Sequence, residues 1–193
     1  DALRDDHKDL LEEAAAMALP LLGRLLGELS KTVAQNLDPD ILLTQELCKV
    51  CAVSYGEVRK AVRLLPGERQ VVSLEPTSLK GILESIEQVG QLTGTPERAA
   101  EVVHRLKRRI DQVATTARWA PQRPKVFAME WLDPPVSGGH WVPEMVRLAG
   151  GREGLGREGY PSAQISWPDV AAYDPEVIVL MPCGFNLAQS IEA

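Results

Sequence analysis

Short apolar runs that alternate with helical segments are the feature that most limits how this chain can fold. The runs are ILLT at 41–44, VVSL at 71–74, KVFAM at 125–129 and VIVLM at 177–181. Continuous runs of this kind, separated by helices, are typical of a mainly parallel sheet that is covered on both faces. We therefore expect an α/β fold with mainly parallel strands and crossover helices.

The clearest helical pattern lies between the second and third runs. Thr95 is a suitable N-cap, Pro96 suits the first helical position, and apolar residues recur at helical spacing up to Ala117. A helix of this extent would be about 33 Å long at 1.5 Å per residue. Such a length favours a rod that joins two lobes over a crossover within one sheet.

This arrangement predicts two lobes bridged by one long helix. The predicted segments are a helical N-terminal segment over 1–35, a partial N-terminal lobe over 36–94, the linking helix over 95–118 and a partial C-terminal lobe over 119–193. Within the first segment, residues 10–29 carry a leucine-rich stripe at helical spacing. An amphipathic helix packed on a core explains the stripe, and docking on a partner subunit is the alternative.

Charge and hydropathy exclude two classes of protein. The chain has 27 acidic and 21 basic side chains and a net charge of −6, whereas a nucleic-acid binder usually has a basic face. No apolar run reaches the roughly 18–20 residues that span a bilayer. We therefore expect no nucleic-acid partner and no membrane-spanning segment, and the leucine-rich stretch lacks the pattern of a signal peptide.

The cysteines offer one short motif, Cys48-Lys-Val-Cys51. Two sulfurs at this spacing can hold a metal ion or cycle as a dithiol. A tetrahedral zinc site needs two further ligands, for which His140 and Cys183 are the candidates. Packed or cleft-lining free thiols are the alternative, because three cysteines are too few for a disulfide scaffold.

An aromatic loop comes after the third run. Residues 129–141 contain Trp131, His140 and Trp141, together with two glycines that allow the backbone to approach a ligand. Aromatic surfaces of this kind bind flat, partly apolar molecules. Tryptophans that fill a lobe interface are the alternative.

Catalytic motifs are absent from the sequence. It contains neither G-x-S-x-G nor H-E-x-x-H. The glycine-rich stretch over 150–159 lacks the spacing of a phosphate-binding loop. We therefore expect neither an enzyme nor a nucleotide site.

Several of these stretches together resemble one protein family over about residues 36–190. They are DPDILLTQELC at 38–48, VVSLEP at 71–76, EWLDPP at 130–135, GHWVPEM at 139–145 and VIVLMPCGF at 177–185. The chain resembles the periplasmic-binding-protein family that has a single rigid backbone helix. Within it, the chain looks most like the cobalamin-binding proteins of ABC importers.

The resemblance implies two Rossmann-like lobes that hold a ligand between their strand-exit loops. Members of this family bind corrinoids, heme, ferric siderophores or metal ions. The leading expectation is a non-catalytic binding protein for a cobalamin-like corrinoid or a related metal chelate, with a bound metal ion as a further expectation. By position, the implied ligand-binding residues are Gln45, Glu46, Cys48, Glu130, Trp131, His140, Trp141, Cys183 and Phe185.

The resemblance also implies partners. Family members dock on an ABC permease, and they have strands at both ends of the matched region that residues 1–35 and the end at Ala193 do not supply. Either the sequence is a fragment of a longer chain, or another chain completes the lobes, and such a chain is a second expected partner. The competing function is a structural or interaction subunit that keeps the fold without binding a ligand. The family implies an extracytoplasmic location, and a cytoplasmic or organellar one stays open because no export signal is visible.

Overall fold

The computed structural model describes residues 37–47, 55–63 and 69–192. These residues belong to two compact units, one with residues 37–44, 55–63 and 69–73, the other with 45–47 and 74–192. The predicted N-terminal helical segment, Cys48 and Cys51 lie outside the described residues. Over the part that is described, no helix is both long enough and apolar enough to cross a membrane. The boundaries of the four predicted segments stay a prediction.

The first unit contains a parallel pair of strands. Strand β1 (Ile41–Thr44) pairs with β2 (Gln70–Ser73), and Ile41 lies opposite Gln70. Helix α1 (Tyr55–Val62) lies in the connection between them, as the long crossover of a parallel pair requires. The first predicted strand is confirmed at its predicted bounds, and the second is shifted by one residue.

Two helices open the second unit. Helix α2 (Leu79–Leu92) packs against α3 (Pro96–Ala117). A Cβ on Gly90 would collide with the Cβ of Ala99, so the glycine permits their close approach. The bounds of α3 confirm the predicted long helix.

The predicted side-chain cap of α3 is wrong. Thr95 makes no capping hydrogen bond, because its hydroxyl lies 2.9 Å from that of Thr93 instead. The helix nevertheless begins at Pro96, whose fixed backbone angle suits a first helical position.

The sheet of the second unit is centred on β3 (Lys125–Trp131). One edge of β3 pairs in parallel with β7 (Val177–Leu180). Its other edge pairs in parallel with β5 (Arg152–Glu153) and then antiparallel with β4 (Val136–Ser137). Strand β6 (Ala163–Gln164) extends the sheet from β4. The sheet is therefore mixed, because the chain turns back along β3 in a hairpin that the sequence pattern did not predict.

Three short helices accompany this sheet, α4 (Val142–Leu148), α5 (Trp167–Tyr173) and α6 (Leu187–Glu192). The core lies on β3, where Phe127 and Met129 are buried against Val170 of α5. These elements confirm the α/β fold class.

Strand β7 departs from the prediction that the strands are covered on both faces. Its four apolar residues are each 42–48% exposed. In the described sheet it is an edge strand that pairs with β3 alone. Because successive side chains of a strand point to opposite faces, the exposure of all four residues means that neither face of β7 is covered in the described part of the chain.

Phe127 is the most completely buried large side chain described, with 0% exposure. We expect Phe127→Ala to lower the free energy of unfolding by about 3–5 kcal/mol, because it removes transfer energy and leaves a cavity. Urea denaturation followed by circular dichroism measures this change. The control Val113→Ala, at a half-exposed position of α3, should cost less than about 1 kcal/mol. Equal losses for the two variants would contradict this account of the core.

Candidate functional site

The carboxyl ends of β3 and β7 bring two predicted residues together. Met129 pairs with Leu180 in register, and the Met181 N–H donates to the Met129 carbonyl at 2.9 Å. The two strands therefore end side by side. There the rings of Trp131, the last residue of β3, and Phe185, five residues after β7, meet edge to face, with centroids 5.6 Å apart and planes at 70°.

This aromatic pair is open to solvent. Trp131 and Phe185 are each 40% exposed. Cys183 is exposed and lies in the turn that leads to Phe185. Glu130 precedes Trp131 in a half-buried position. Four of the nine predicted ligand-binding residues are therefore grouped at this end of the sheet.

His140 and Trp141 form a second group. The chain folds back through β4, where Val136 lies opposite Trp131, and the Gly138 N–H donates to the Ala128 carbonyl at 2.7 Å. By His140 the chain has therefore moved back along β3, away from the Trp131 end. The rings of His140 and Trp141 have centroids 5.8 Å apart, directly before α4 begins.

The backbone of His140 is held in an unusual conformation. Its φ of 52° lies in the left-handed region, which non-glycine residues rarely adopt. The His140 N–H donates to the Tyr160 carbonyl at 2.6 Å, and the Gly159 N–H donates to the His140 carbonyl at 2.8 Å. A Cβ on Gly139 would collide with the backbone of Pro161 and Ser162. The glycine therefore lets the 159–162 segment lie against this turn.

Glu153 joins the glycine-rich stretch to β3, a role that the sequence pattern did not predict. Its Oε1 accepts the Leu155 N–H at 2.9 Å and the Gly156 N–H at 3.1 Å, while Oε2 accepts the Ala128 N–H at 2.9 Å. One carboxylate thus pairs three backbone donors of two segments. The signal present in the sequence is an acidic residue among closely spaced glycines, whose N–H groups need an acceptor.

Arg147 of α4 also binds a residue of the glycine-rich stretch. Its Nε and Nη2 donate to the two carboxylate oxygens of Glu158 at 3.1 and 3.2 Å. This pairing raises the pKa of the Arg147 guanidinium. Both side chains are about half exposed, so the pair fixes orientation more than it adds stability.

Glu46, the neighbour of Gln45 in sequence, is held through its backbone by the carboxylate of Glu75. The Glu46 N–H donates to Glu75 Oε1 at 2.8 Å, and both Gln45 and Glu46 are exposed. Three residues after Glu75, Ser78 caps α2 by accepting the Gly81 N–H at 3.1 Å. The remaining predicted ligand residue, Cys48, lies outside the described residues.

The predicted metal site has no further support from the geometry. Among residues 37–47, 55–63 and 69–192, no three His, Cys, Asp or Glu side chains are clustered to hold a metal ion. Of the predicted ligands, His140 and Cys183 are described, and they belong to the two different groups. Since Cys48 and Cys51 lie outside the described residues, the zinc hypothesis stays a prediction.

Comparison with known proteins decides the family. The family model described as "Periplasmic binding protein" matches residues 34–192. The chain belongs to the periplasmic binding protein family. This is a family of binding proteins, as expected for this chain.

Solved structures of periplasmic binding proteins share the fold. The vitamin B12 binding protein BtuF of Vibrio cholerae is 22% identical, with a TM-score of 0.58 over 75% of this chain and 55% of that one. An ABC transporter substrate-binding protein of Listeria monocytogenes is 17% identical, with a TM-score of 0.67 over 84% and 60%. S. aureus IsdE complexed with heme is 18% identical, with a TM-score of 0.64 over 80% and 58%.

The matched structures are longer than this chain, which spans 55–60% of the length of those three. No curated protein sequence matches significantly. At such identities the likeness establishes the periplasmic-binding-protein fold and leaves the ligand to be proposed.

The carboxylate of Glu153 gives a test of how this region is held. Glu153→Gln keeps the side-chain length but places an amide NH₂ against one of the backbone donors. We expect it to lower the free energy of unfolding by about 1–3 kcal/mol, since hydrogen bonds to charged groups are worth about that much. The measurement is urea denaturation.

A matched control is Glu101→Gln, at an exposed glutamate of α3 that pairs with Arg98 at 3.2 Å. It should change the free energy of unfolding by less than about 1 kcal/mol. If the Glu153→Gln variant is as stable as this control, the three hydrogen bonds that Glu153 accepts do not stabilise this region.

Proposed function

We propose that this chain is the solute-binding component of an ABC importer and that its solute is a flat metal chelate, specifically a corrinoid such as cobalamin. The corrinoid would contact the aromatic pair of Trp131 and Phe185. The importer's permease would be its protein partner.

The observation that carries this proposal is the half-exposed aromatic pair. Trp131 and Phe185 expose 40% of their surface at the carboxyl ends of two parallel strands, where open α/β sheets bind their ligands. Exposed apolar surface is unfavourable in water at roughly 25 cal/mol per Å². A broad, partly apolar ligand that covers both rings would recover that free energy.

The predicted polar residues would bind the periphery of such a ligand. The exposed side chains of Gln45 and Glu46 would bind peripheral amides, and Glu130 would do the same beside Trp131. His140 or Cys183 would supply a ligand to the metal centre, because imidazole and thiolate are both transition-metal ligands. The names of two relatives, a vitamin B12 binding protein and a heme complex, support this class of solute.

The test is calorimetric titration of the protein with hydroxocobalamin, with hemin titrated in parallel. We expect micromolar or tighter binding of hydroxocobalamin. Trp131→Ala should weaken it by about 1–3 kcal/mol, as loss of an aromatic anchor does. The control Trp119→Ala removes a tryptophan that is 84% exposed after α3, and it should leave the affinity unchanged.

The outcomes separate the alternatives. No heat with hydroxocobalamin at high concentration would sink the corrinoid proposal, and binding of hemin alone would replace it with heme. Equal affinities of Trp131→Ala and Trp119→Ala would remove the aromatic pair from the site.

An interaction subunit without a ligand is the second candidate. The observation that favours it is apolar surface elsewhere, on the half-exposed β7 and on α6, where Leu187 and Ile191 are 78% and 75% exposed. Large exposed apolar patches are typical of protein interfaces. Failure of both titrations would favour this candidate.

A further inference from the structure

Glu144 makes a contact that neither the sequence pattern nor the family resemblance assigns. It lies in the first turn of α4, three residues after Trp141, and its Oε2 accepts the backbone N–H of Leu79 at 2.8 Å. Leu79 is the first residue of α2. The bond therefore joins two helices through residues that are 65 positions apart in sequence.

The carboxylate completes the start of α2. The first N–H groups of a helix have no partner within it. Ser78 pairs the Gly81 N–H, and the first turn of α2 contains no acidic residue of its own. Glu144 supplies both an acceptor for the Leu79 N–H and a negative charge next to the positive end of the helix dipole.

Side-chain packing beside this bond is incomplete. An open apolar groove of about 380 Å³ lies between α2, α3 and α4, and Leu79 and Met145, the neighbours of the bond, both line it. Helix α4 also contacts α3, which in turn packs against α2, so the groove leaves α2 and α4 connected through α3 and through the Glu144 hydrogen bond. The Glu144 hydrogen bond is a described polar contact that joins α4 to α2 directly.

Each partner of the Glu144–Leu79 hydrogen bond is connected through the chain to predicted ligand-binding residues. On the α4 side, the chain runs directly back to Trp141 and His140. On the α2 side, the 74–78 segment contains Glu75, whose carboxylate holds the Glu46 N–H at 2.8 Å. A shift of α4 relative to α2 would therefore move the His140–Trp141 turn relative to Glu46.

We propose that Glu144 is a positioning residue that sets the spacing between the His140–Trp141 turn and the Glu46–Glu75 segment. It acts through Leu79 and contacts no ligand. Its effect on ligand affinity rests on the proposed function, whereas its effect on the free protein does not.

The experiment compares Glu144→Ala and Glu144→Gln with the unchanged chain. Alanine removes the acceptor, whereas the glutamine carbonyl can still accept the Leu79 N–H. Amide hydrogen exchange by NMR in the ligand-free protein measures Leu79 and, as the remote probe, Glu46. We expect Glu144→Ala to speed exchange at both amides by about tenfold or more, and Glu144→Gln to restore most of the protection.

A matched control is Glu84→Ala, an exposed glutamate of α2 that pairs with Lys80 at 3.0 Å. It should leave both amides unchanged. Faster exchange at Leu79 with unchanged exchange at Glu46 would mean that the bond is merely local and would overturn the proposal. Unchanged exchange at Leu79 would overturn it as well.

Stopped-flow dissociation of hydroxocobalamin then connects the spacing to binding. We expect Glu144→Ala to dissociate about tenfold faster than Glu144→Gln, which should stay near the unchanged chain. Equal dissociation rates with altered exchange at Glu46 would overturn the role in ligand retention. Absence of binding to the unchanged chain would refute the proposed function, while the exchange result would still decide whether Glu144 positions the two segments.

Discussion

The buried strand β3 is the element on which the second unit depends. Its residues Val126, Phe127, Ala128 and Met129 are all buried, and both of its edges are paired. Because β7 takes one edge, β5 and β4 must share the other. This pairing decides which side chains meet beyond the strand ends, since the aromatic pair exists only where β3 and β7 end together.

Carboxylate side chains hold the segments around the candidate site together by accepting hydrogen bonds from backbone N–H groups. Glu153 pairs donors of β3 and the glycine-rich stretch, Glu144 pairs the first donor of α2, and Glu75 pairs the N–H of Glu46. A buried or half-buried N–H without a partner is costly, and a carboxylate can accept several such bonds. These acidic residues therefore act as connectors between segments that are distant in sequence.

Local patterns predicted the elements that depend on local physics. The bounds of β1 and α3 were predicted correctly, because a bounded apolar run and a Pro96 start with helical periodicity are both visible in one short window of sequence. Strands β4 and β6, with two residues each, leave no such pattern. The prediction of a Thr95 side-chain cap was wrong for a similar reason. Which partner the hydroxyl binds depends on the groups that the folded turn brings near it.

The sequence by itself determined the α/β class, the long helix, the family and the identity of the aromatic and carboxylate residues near strand ends. Tertiary structure alone decided how these residues are grouped. Trp131 and His140 are close in sequence, yet the hairpin separates them, whereas Trp131 meets Phe185 from another strand. Side-chain chemistry and short-range periodicity are properties of neighbouring residues, while strand pairing and carboxylate-to-backbone bonds join residues up to 65 positions apart, and no local pattern encodes that choice.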